Sequence, residues 1–270
     1  MDWTGKVALI TGGSAGLGRT IAQAFADQGA SLVIVARGHE RLEDAAKTLR
    51  AAGVSVTPIV ADVTDDEQVD MVMAGILEQY GRLDVLVNNV GRSMRARATD
   101  TTVEDFRDLF EINFWPVVRC TRAALEHLEK TAGCIVNIGS LASKSVGFDL
   151  GGYPATKFAL AAYSAQLRLE LAPRGVHVLL VCPGPMARTD AGERYDTQAK
   201  DLPNLSRQPG AGVRLKLLVA DEVARQLIEA VEKRRAELVM PGKARLLFAL
   251  SQLFPDWSDA LLKKRFERND

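Results

Sequence analysis

The sequence is poor in the residues on which most metal and redox sites depend. Only three of its 270 residues are cysteine and only three are histidine. Cys120, Cys134 and Cys182 each stand alone in an apolar run, without metal-ligand spacing, which reads as buried reduced thiols rather than a disulfide or zinc site. His39, His127 and His177 fall into no pattern for a metal or a serine triad, so structural roles are expected and no metal is called for. Net charge is missing as well: 34 Lys and Arg balance 34 Asp and Glu, so no overall field draws the chain to nucleic acid. No apolar run has the length of a transmembrane span, and the opening MDWTGKVALITGG holds no signal-peptide run. A cytoplasmic location is therefore expected. Internal repeats and low-complexity linkers are also lacking.

What is present is a regular alternation. Short β-branched runs (KVALIT, SLVIVA, SVTPIVA, LDVLVNN, GCIVNIGS, VHVLLVC, ELVMP) are separated by segments of helical period near 17–29, 39–52, 66–80, 103–131, 152–173 and 221–234. The strand runs are apolar on consecutive positions, as parallel strands covered on both faces must be. Gly29, Gly53, Gly81, Gly133 and Gly175 stand at the helix ends, where a residue that tolerates positive φ is most useful. The pattern predicts an α/β, doubly wound, seven-stranded parallel sheet with helices on both faces. The expected organisation is one Rossmann-type dinucleotide-binding domain over 1–270, with a helical C-terminal extension from about residue 241. The polar stretch from about 187 to 214 is too long for an ordinary connection and reads as a lid or a substrate-binding excursion.

After the first strand comes TGGSAGLG, residues 11–18, opening a helix. Gly12 permits the tight turn, Gly16 leaves room for a pyrophosphate, and Gly18 permits close helix packing. The helix's free N–H groups and positive end then favour phosphate. The second strand ends in Ala36 and Arg37, where an NAD site usually places an acid for the ribose 2′-hydroxyl. Arginine can bind a 2′-phosphate with a charge-assisted fork, and Ser14 can add a hydroxyl, so NADP is expected rather than NAD. The competing reading is that Arg37 is a solvated loop cation.

With these features in place, the chain resembles the short-chain dehydrogenase/reductase family in its compact single-domain subtype, from about residue 5 to about 240. TGGSAGLG resembles the family's cofactor turn, which adds Leu17 to the expected contacts. DVTD at 62–65 is similar to the adenine-contacting segment, through Asp62 and Val63. NNVG at 88–91 resembles the family's NNAG with Val90 for alanine, implying contacts from Asn88, Asn89 and Gly91. PGPMART at 183–189 resembles the segment beside the nicotinamide, implying Pro183, Gly184 and Met186. There the family's threonine commonly falls one place earlier than Thr189, in the register held by Arg188. Asn113, Ser140, Tyr153 and Lys157 stand where the family has its catalytic residues.

Hydride transfer to a carbonyl leaves charge on oxygen, and the proton donor there should have a pKa near the working pH. Free tyrosine titrates near 10. In YPATK, Tyr153 and Lys157 are four apart and share a helix face, so the ammonium is expected to lower the tyrosine pKa. Pro154 places Tyr153 at the very start of that helix. The resemblance implies that Lys157 also holds the nicotinamide ribose, that Ser140 polarises the substrate oxygen, and that Asn113 relays protons through a water. Taken singly, each has a bland alternative: a core-edge tyrosine, a solvated lysine, a turn serine, and an asparagine serving the helix carbonyl that Pro116 leaves without a partner.

The expected function is interconversion of a carbonyl and a secondary alcohol with NADP (NADPH), on a small-molecule substrate. The alternative is a dinucleotide-sensing regulatory protein without turnover, since Rossmann folds serve both uses. Substrate contacts are expected from 92–100, 143–152 and 187–214. In the first, Arg92, Arg95 and Arg97 could attract an anion, although a solvated charged loop is the commoner explanation. The apolar C-terminal segment could cover the site, join subunits or lie on a membrane surface, with the first two favoured. As a cover it would suit a hydrophobic carbonyl. Compact members of the family are homodimers or homotetramers, and the segments 103–131 and 152–173 carry apolar positions beyond one core-facing stripe, so the same is expected here.

Overall fold

The structure, a computed structural model, describes residues 2–187, 195, 198–208 and 216–267, with only the backbone for 205 and 265–267. Seven parallel strands form one sheet: β1 (Val7–Thr11), β2 (Ser31–Ala36), β3 (Val56–Val60), β4 (Val85–Asn88), β5 (Cys134–Ile138), β6 (His177–Pro183) and β7 (Glu237–Met240). The helices are α1 (Gly16–Asp27), α2 (His39–Arg50), α3 (Asp66–Tyr80), α4 (Val103–Asn113), α5 (Trp115–Lys130), α6 (Tyr153–Leu171), α7 (Asn204–Arg207), α8 (Ala220–Glu232), α9 (Ala244–Leu253) and α10 (Pro255–Glu267).

The spatial order is β3-β2-β1-β4-β5-β6-β7, so the winding reverses between β1 and β4. A crevice at the carboxyl ends of the strands beside that reversal is where open α/β sheets place their ligands. Successive residues of one strand face opposite sides, which explains the uninterrupted apolar runs. In β1, Ala8 and Ile10 join a core with α1, α2 and α8, whereas Val7 and Leu9 join one with α3, α5 and α6. Pro58, which has no N–H for the ladder, lies in β3 at the sheet edge.

Two expectations are corrected. The helical pattern 103–131 is two helices, α4 and α5, broken at Phe114 (φ −124°, ψ −54°). Pro116 cannot serve the carbonyl four residues back, so the kink expected there becomes a full break. Gly133 does not take the left-handed conformation; Ala132 before it does, at φ 47°. Gly133 is required for space instead, since a β-carbon there would lie 2.6 Å from the Asp84 carbonyl oxygen.

Candidate active site

The glycine turn is fastened to the end of β4 by short polar contacts. The Thr11 hydroxyl accepts the N–H of Asn89 at 3.0 Å, and the Asn89 amide donates to the Thr11 carbonyl at 3.0 Å. Gly18 packs against the turn so closely that a β-carbon would fall 2.3 Å from the Gly12 carbonyl oxygen. Gly16, at φ 52°, has nothing within 4 Å of that position. Its residue type is thus explained by conformation, and the space beside it is open. The start of α1 has no side-chain cap and no acidic residue in its first turn, while α3 and α4 have both. Uncapped N–H groups, open space and no repelling carboxylate fit a dinucleotide pyrophosphate.

Arg37 is exposed at the end of β2, with its guanidinium 3.6 Å from the Asp62 carboxylate. Burial opposes ionisation of Asp62, but hydrogen bonds from the Thr64 N–H and hydroxyl, together with Arg37, hold its carboxyl below the usual range. Val63 beside it is buried. Asn88 turns away from the crevice: its amide donates to Asn137 Oδ1 at 2.9 Å, and Asn137 donates to the Ser164 hydroxyl at 2.9 Å. This buried chain ties β4 to β5 and α6. Asn137, Ser164 and Thr11 were not singled out from sequence; a polar residue inside an otherwise apolar strand run was the available signal.

A cavity of about 680 Å³ opens at the strand ends, and Ser140, Tyr153 and Lys157 all line it. Leu17, Asn89, Gly91, Pro183, Gly184 and Met186 border the same space. Ser140 follows β5 and caps a short 3-10 turn, its hydroxyl accepting the Ala142 N–H at 3.1 Å. Tyr153 opens α6 as the proline requires, with Gly152 as its cap residue. Protein crowds its hydroxyl, yet the residue keeps an edge on the cavity. Lys157 is buried and donates to the Ile138 carbonyl at 2.9 Å.

The electrostatics differ from the sequence expectation. Burial raises the Tyr153 pKa to about 12, against the lowering effects of a hydrogen bond with Ser140 and the nearby Arg95 charge. Burial also lowers Lys157 to about 8. The Lys157 ammonium lies 5.9 Å from the centre of the Tyr153 ring and donates to a backbone carbonyl, and burial outweighs the lowering influences on the tyrosine. Tyr153 therefore stays protonated throughout the neutral range.

Asn113 is fully buried. Its Oδ1 accepts the Arg92 N–H at 2.7 Å, while Nδ2 donates to the Arg92 carbonyl at 2.9 Å and the Thr156 hydroxyl at 3.1 Å. Its amide partners are therefore Arg92 and Thr156, not the carbonyl freed by Pro116. A β-carbon at Gly91 would meet Asn113 Oδ1 at 2.9 Å and Lys157 Nζ at 3.6 Å, so the three positions are packed together.

The far wall comes from the three expected segments and from the C-terminus. Arg92 and Arg97 are exposed and ion-paired. Arg95 is instead buried: its Nε donates to the Ser206 carbonyl at 2.6 Å, and its guanidinium stacks 4.0 Å from the Tyr195 ring centre. The Ser206 hydroxyl in turn donates to Asp149 at 2.5 Å, so all three segments are stitched together. Met186 bridges to Leu218, which fixes the start of the segment after β6. Arg188 and Thr189 lie outside the described residues, and Ser14 is half-buried in the turn ahead of α1. Leu247 and Phe248 of α9 and Leu262 of α10 line the cavity, so the C-terminal segment helps to enclose the site.

The family described as short chain dehydrogenase matches residues 6–200. The chain belongs to the short-chain dehydrogenase family. Short-chain dehydrogenases similar to it include the uncharacterized oxidoreductase YxnA of Bacillus subtilis (strain 168), 33% identical over 96% of this chain and 72% of the relative. The ketoacyl reductase HetN of Nostoc sp. is 30% identical over 96% of this chain and 89% of its own. Among solved structures, a short-chain dehydrogenase/reductase from Burkholderia phymatum in complex with NAD has a TM-score of 0.83 at 26% identity, covering 95% of this chain and 96% of that one. An alcohol dehydrogenase from Thermococcus sibiricus complexed with 5-hydroxy-NADP has a TM-score of 0.71 at 29% identity, covering 87% of this chain and 94% of that one. As a short-chain dehydrogenase the protein is an NAD(P)-dependent oxidoreductase. No helix among its described residues is long and apolar enough to cross a membrane.

Proposed function

We propose that this enzyme reduces a small-molecule ketone to a secondary alcohol with NADPH, Tyr153 giving the proton. The carrying observation is that Ser140, Tyr153 and Lys157 converge on one cavity beside the open glycine turn. When bound, the nicotinamide cofactor supplies the hydride. Gly12, Ser14, Gly16, Leu17 and Gly18 would hold its phosphates, Asp62 and Val63 its adenine end, and Asn88, Asn89, Gly91, Pro183, Gly184 and Met186 the strand-end side. Asn88 serves through the buried chain that positions Asn89. Arg37, with no acid at the end of β2, favours the 2′-phosphate of NADP.

Ser140 holds the substrate oxygen by a hydrogen bond and keeps it against the Tyr153 hydroxyl. Tyr153 then donates its proton to that oxygen as charge develops. Burial keeps Tyr153 protonated in the neutral range, the state needed to donate in the reducing direction. Lys157 holds the ribose side of the site and supplies positive charge near the developing tyrosinate. Asn113 fixes the loop after β4 to α6, which keeps any proton path from Lys157 in register.

The continuous sheet supports one domain over 1–270, extended from about 241 by α9 and α10. Exposed Trp115 on α5 and Phe158 and Leu169 on α6 support a homodimer or homotetramer built through those helices, measurable by light scattering. Cys120, Cys134 and Cys182 are buried thiols with pKa values raised by burial, in keeping with a reducing cytoplasmic setting.

The test is a ketone panel assayed with NADPH and with NADH, beside direct titration of each cofactor. NADPH should bind more tightly and support turnover. Binding of NADPH without turnover of any ketone or alcohol would instead favour a dinucleotide sensor, and tighter NADH binding would overturn the role given to Arg37.

A further inference from the structure

We propose that the substrate is a ketone carried on a flexible apolar chain, with its carbonyl at Ser140 and Tyr153 and its chain lying against α9 and α10. This deepens the proposed reductase function and rests on it. Beyond the Ser140–Tyr153 pair much of the cavity wall is apolar, with Val146 and Leu150 in one segment and Leu247, Phe248 and Leu262 on the terminal helices, while Arg92, Arg95 and Lys243 are its cations there. Among the described residues no aspartate or glutamate lines it, and the other described hydroxyls have protein partners. Ser93 and Tyr195 hydrogen-bond each other at 2.5 Å, and the Ser145 hydroxyl points to the Val146 carbonyl at 3.4 Å. Arg95 donates to the Ser206, Met94 and Gln208 carbonyls.

A sugar or polyol placed here would give up its water contacts and find few partners in return, which is costly. An alkyl chain meets matching apolar walls and gains from leaving water. The same two helices carry exposed Leu246, Leu253 and Trp257, with exposed Phe254 between them, so apolar surface continues on the elements that wall the cavity. A chain longer than the cavity therefore has apolar surface to follow outward.

The experiment is a series of methyl ketones from 2-pentanone to 2-undecanone, reduced with NADPH by wild type and by the Leu247→Ser/Leu262→Ser variant. In wild type, kcat/KM should rise roughly three- to fourfold per methylene, the fold-change equivalent of about 0.8 kcal/mol per buried CH₂. The variant should lose most of that slope, with its NADPH affinity within about twofold of wild type. A second readout needs no turnover: 2-undecanone should raise the thermal midpoint of wild type, and not of the variant, more than 2-pentanone does. Leu247 is exposed, so Leu247→Ser alone serves if the double variant fails to fold. A flat dependence on chain length, or a slope that survives both substitutions, overturns the proposal while leaving the reductase reading intact. Failure to reduce ketones of any length overturns both.

Discussion

The two walls of the cavity are held in different ways. At the ends of β1, β4 and β5 the wall is fixed by short polar contacts to the backbone: Asn89 to Thr11 at 3.0 Å, Lys157 to Ile138 at 2.9 Å, and Asn88 to Asn137 at 2.9 Å beneath them. The opposite wall is made of irregular segments and two terminal helices, stitched by Arg95 and Ser206 and apolar along α9 and α10 at Leu247, Phe248 and Leu262. A reaction centre tolerates little displacement, whereas substrate choice is set by shape and polarity. The first is therefore built on strand ends, and the second on loops that can differ without moving the strands.

If that division is right, damage to the first wall removes binding and reaction, while damage to the second changes selectivity. The largest effect short of the proton donor is expected at Gly18. A valine there places carbon against the Gly12 carbonyl and the Asn89 amide, at 2.3 and 2.5 Å. The turn must open, and cofactor affinity should fall by at least ten-fold, on the order of the 1–3 kcal/mol of an overpacked interior; calorimetric titration checks this. Arg37→Glu should follow, raising the NADPH dissociation constant by about ten- to a hundred-fold and sparing NADH, the usual worth of a hydrogen bond to a charged group. An unchanged NADPH-to-NADH ratio would remove Arg37 from the site.

Asn137→Leu removes the acceptor at 2.9 Å from the buried Asn88 amide, which keeps only the 3.5 Å contact to Thr121, and removes the donor to the Ser164 hydroxyl, which still donates to the Leu160 carbonyl. Urea unfolding should show a loss of about 1–3 kcal/mol, the cost of stranding such groups. Any loss of activity should track the population unfolded. The last effect concerns pH. Lys157 titrates at about 8 in the fold, below its ordinary 10.5. Between those values the unfolded chain binds the extra proton, so wild-type stability should gain from this residue as pH rises from about 8 towards 10. Tyr153, raised to about 12, works in the opposite direction only above pH 10. Denaturant midpoints of ligand-free Lys157→Met should lack the gain below pH 10.

The same division decides what could be read in the sequence. The strand runs, the glycine turn and the Ser140, Tyr153 and Lys157 spacing are local patterns, and the sheet brings them together at β1, β4 and β5. Tyr153 stands at the first position of α6 because Pro154 demands it, a constraint visible in five letters. Less was legible where the outcome depends on distant partners. Arg95 looks like its neighbours Arg92 and Arg97, and only the 195–208 segment makes it buried. The pKa order of Tyr153 and Lys157 was missed for a related reason. Helical spacing shows that two residues share a face, but not that the ammonium is already donating to Ile138, nor how much protein surrounds both. Phe114, at the break that Pro116 causes, is held by edge-on aromatic contacts to Phe110, Trp115 and Tyr163, which periodicity does not show.

The most direct measurement is single-turnover oxidation of NADPH with one ketone, comparing wild type and Tyr153→Phe. The substitution removes the proton donor and little else, so the rate should fall by roughly 10²–10⁴, with NADPH affinity within about twofold of wild type. Equal rates in the two proteins would contradict the assignment of proton transfer to Tyr153, and with it the central claim about the strand-end wall.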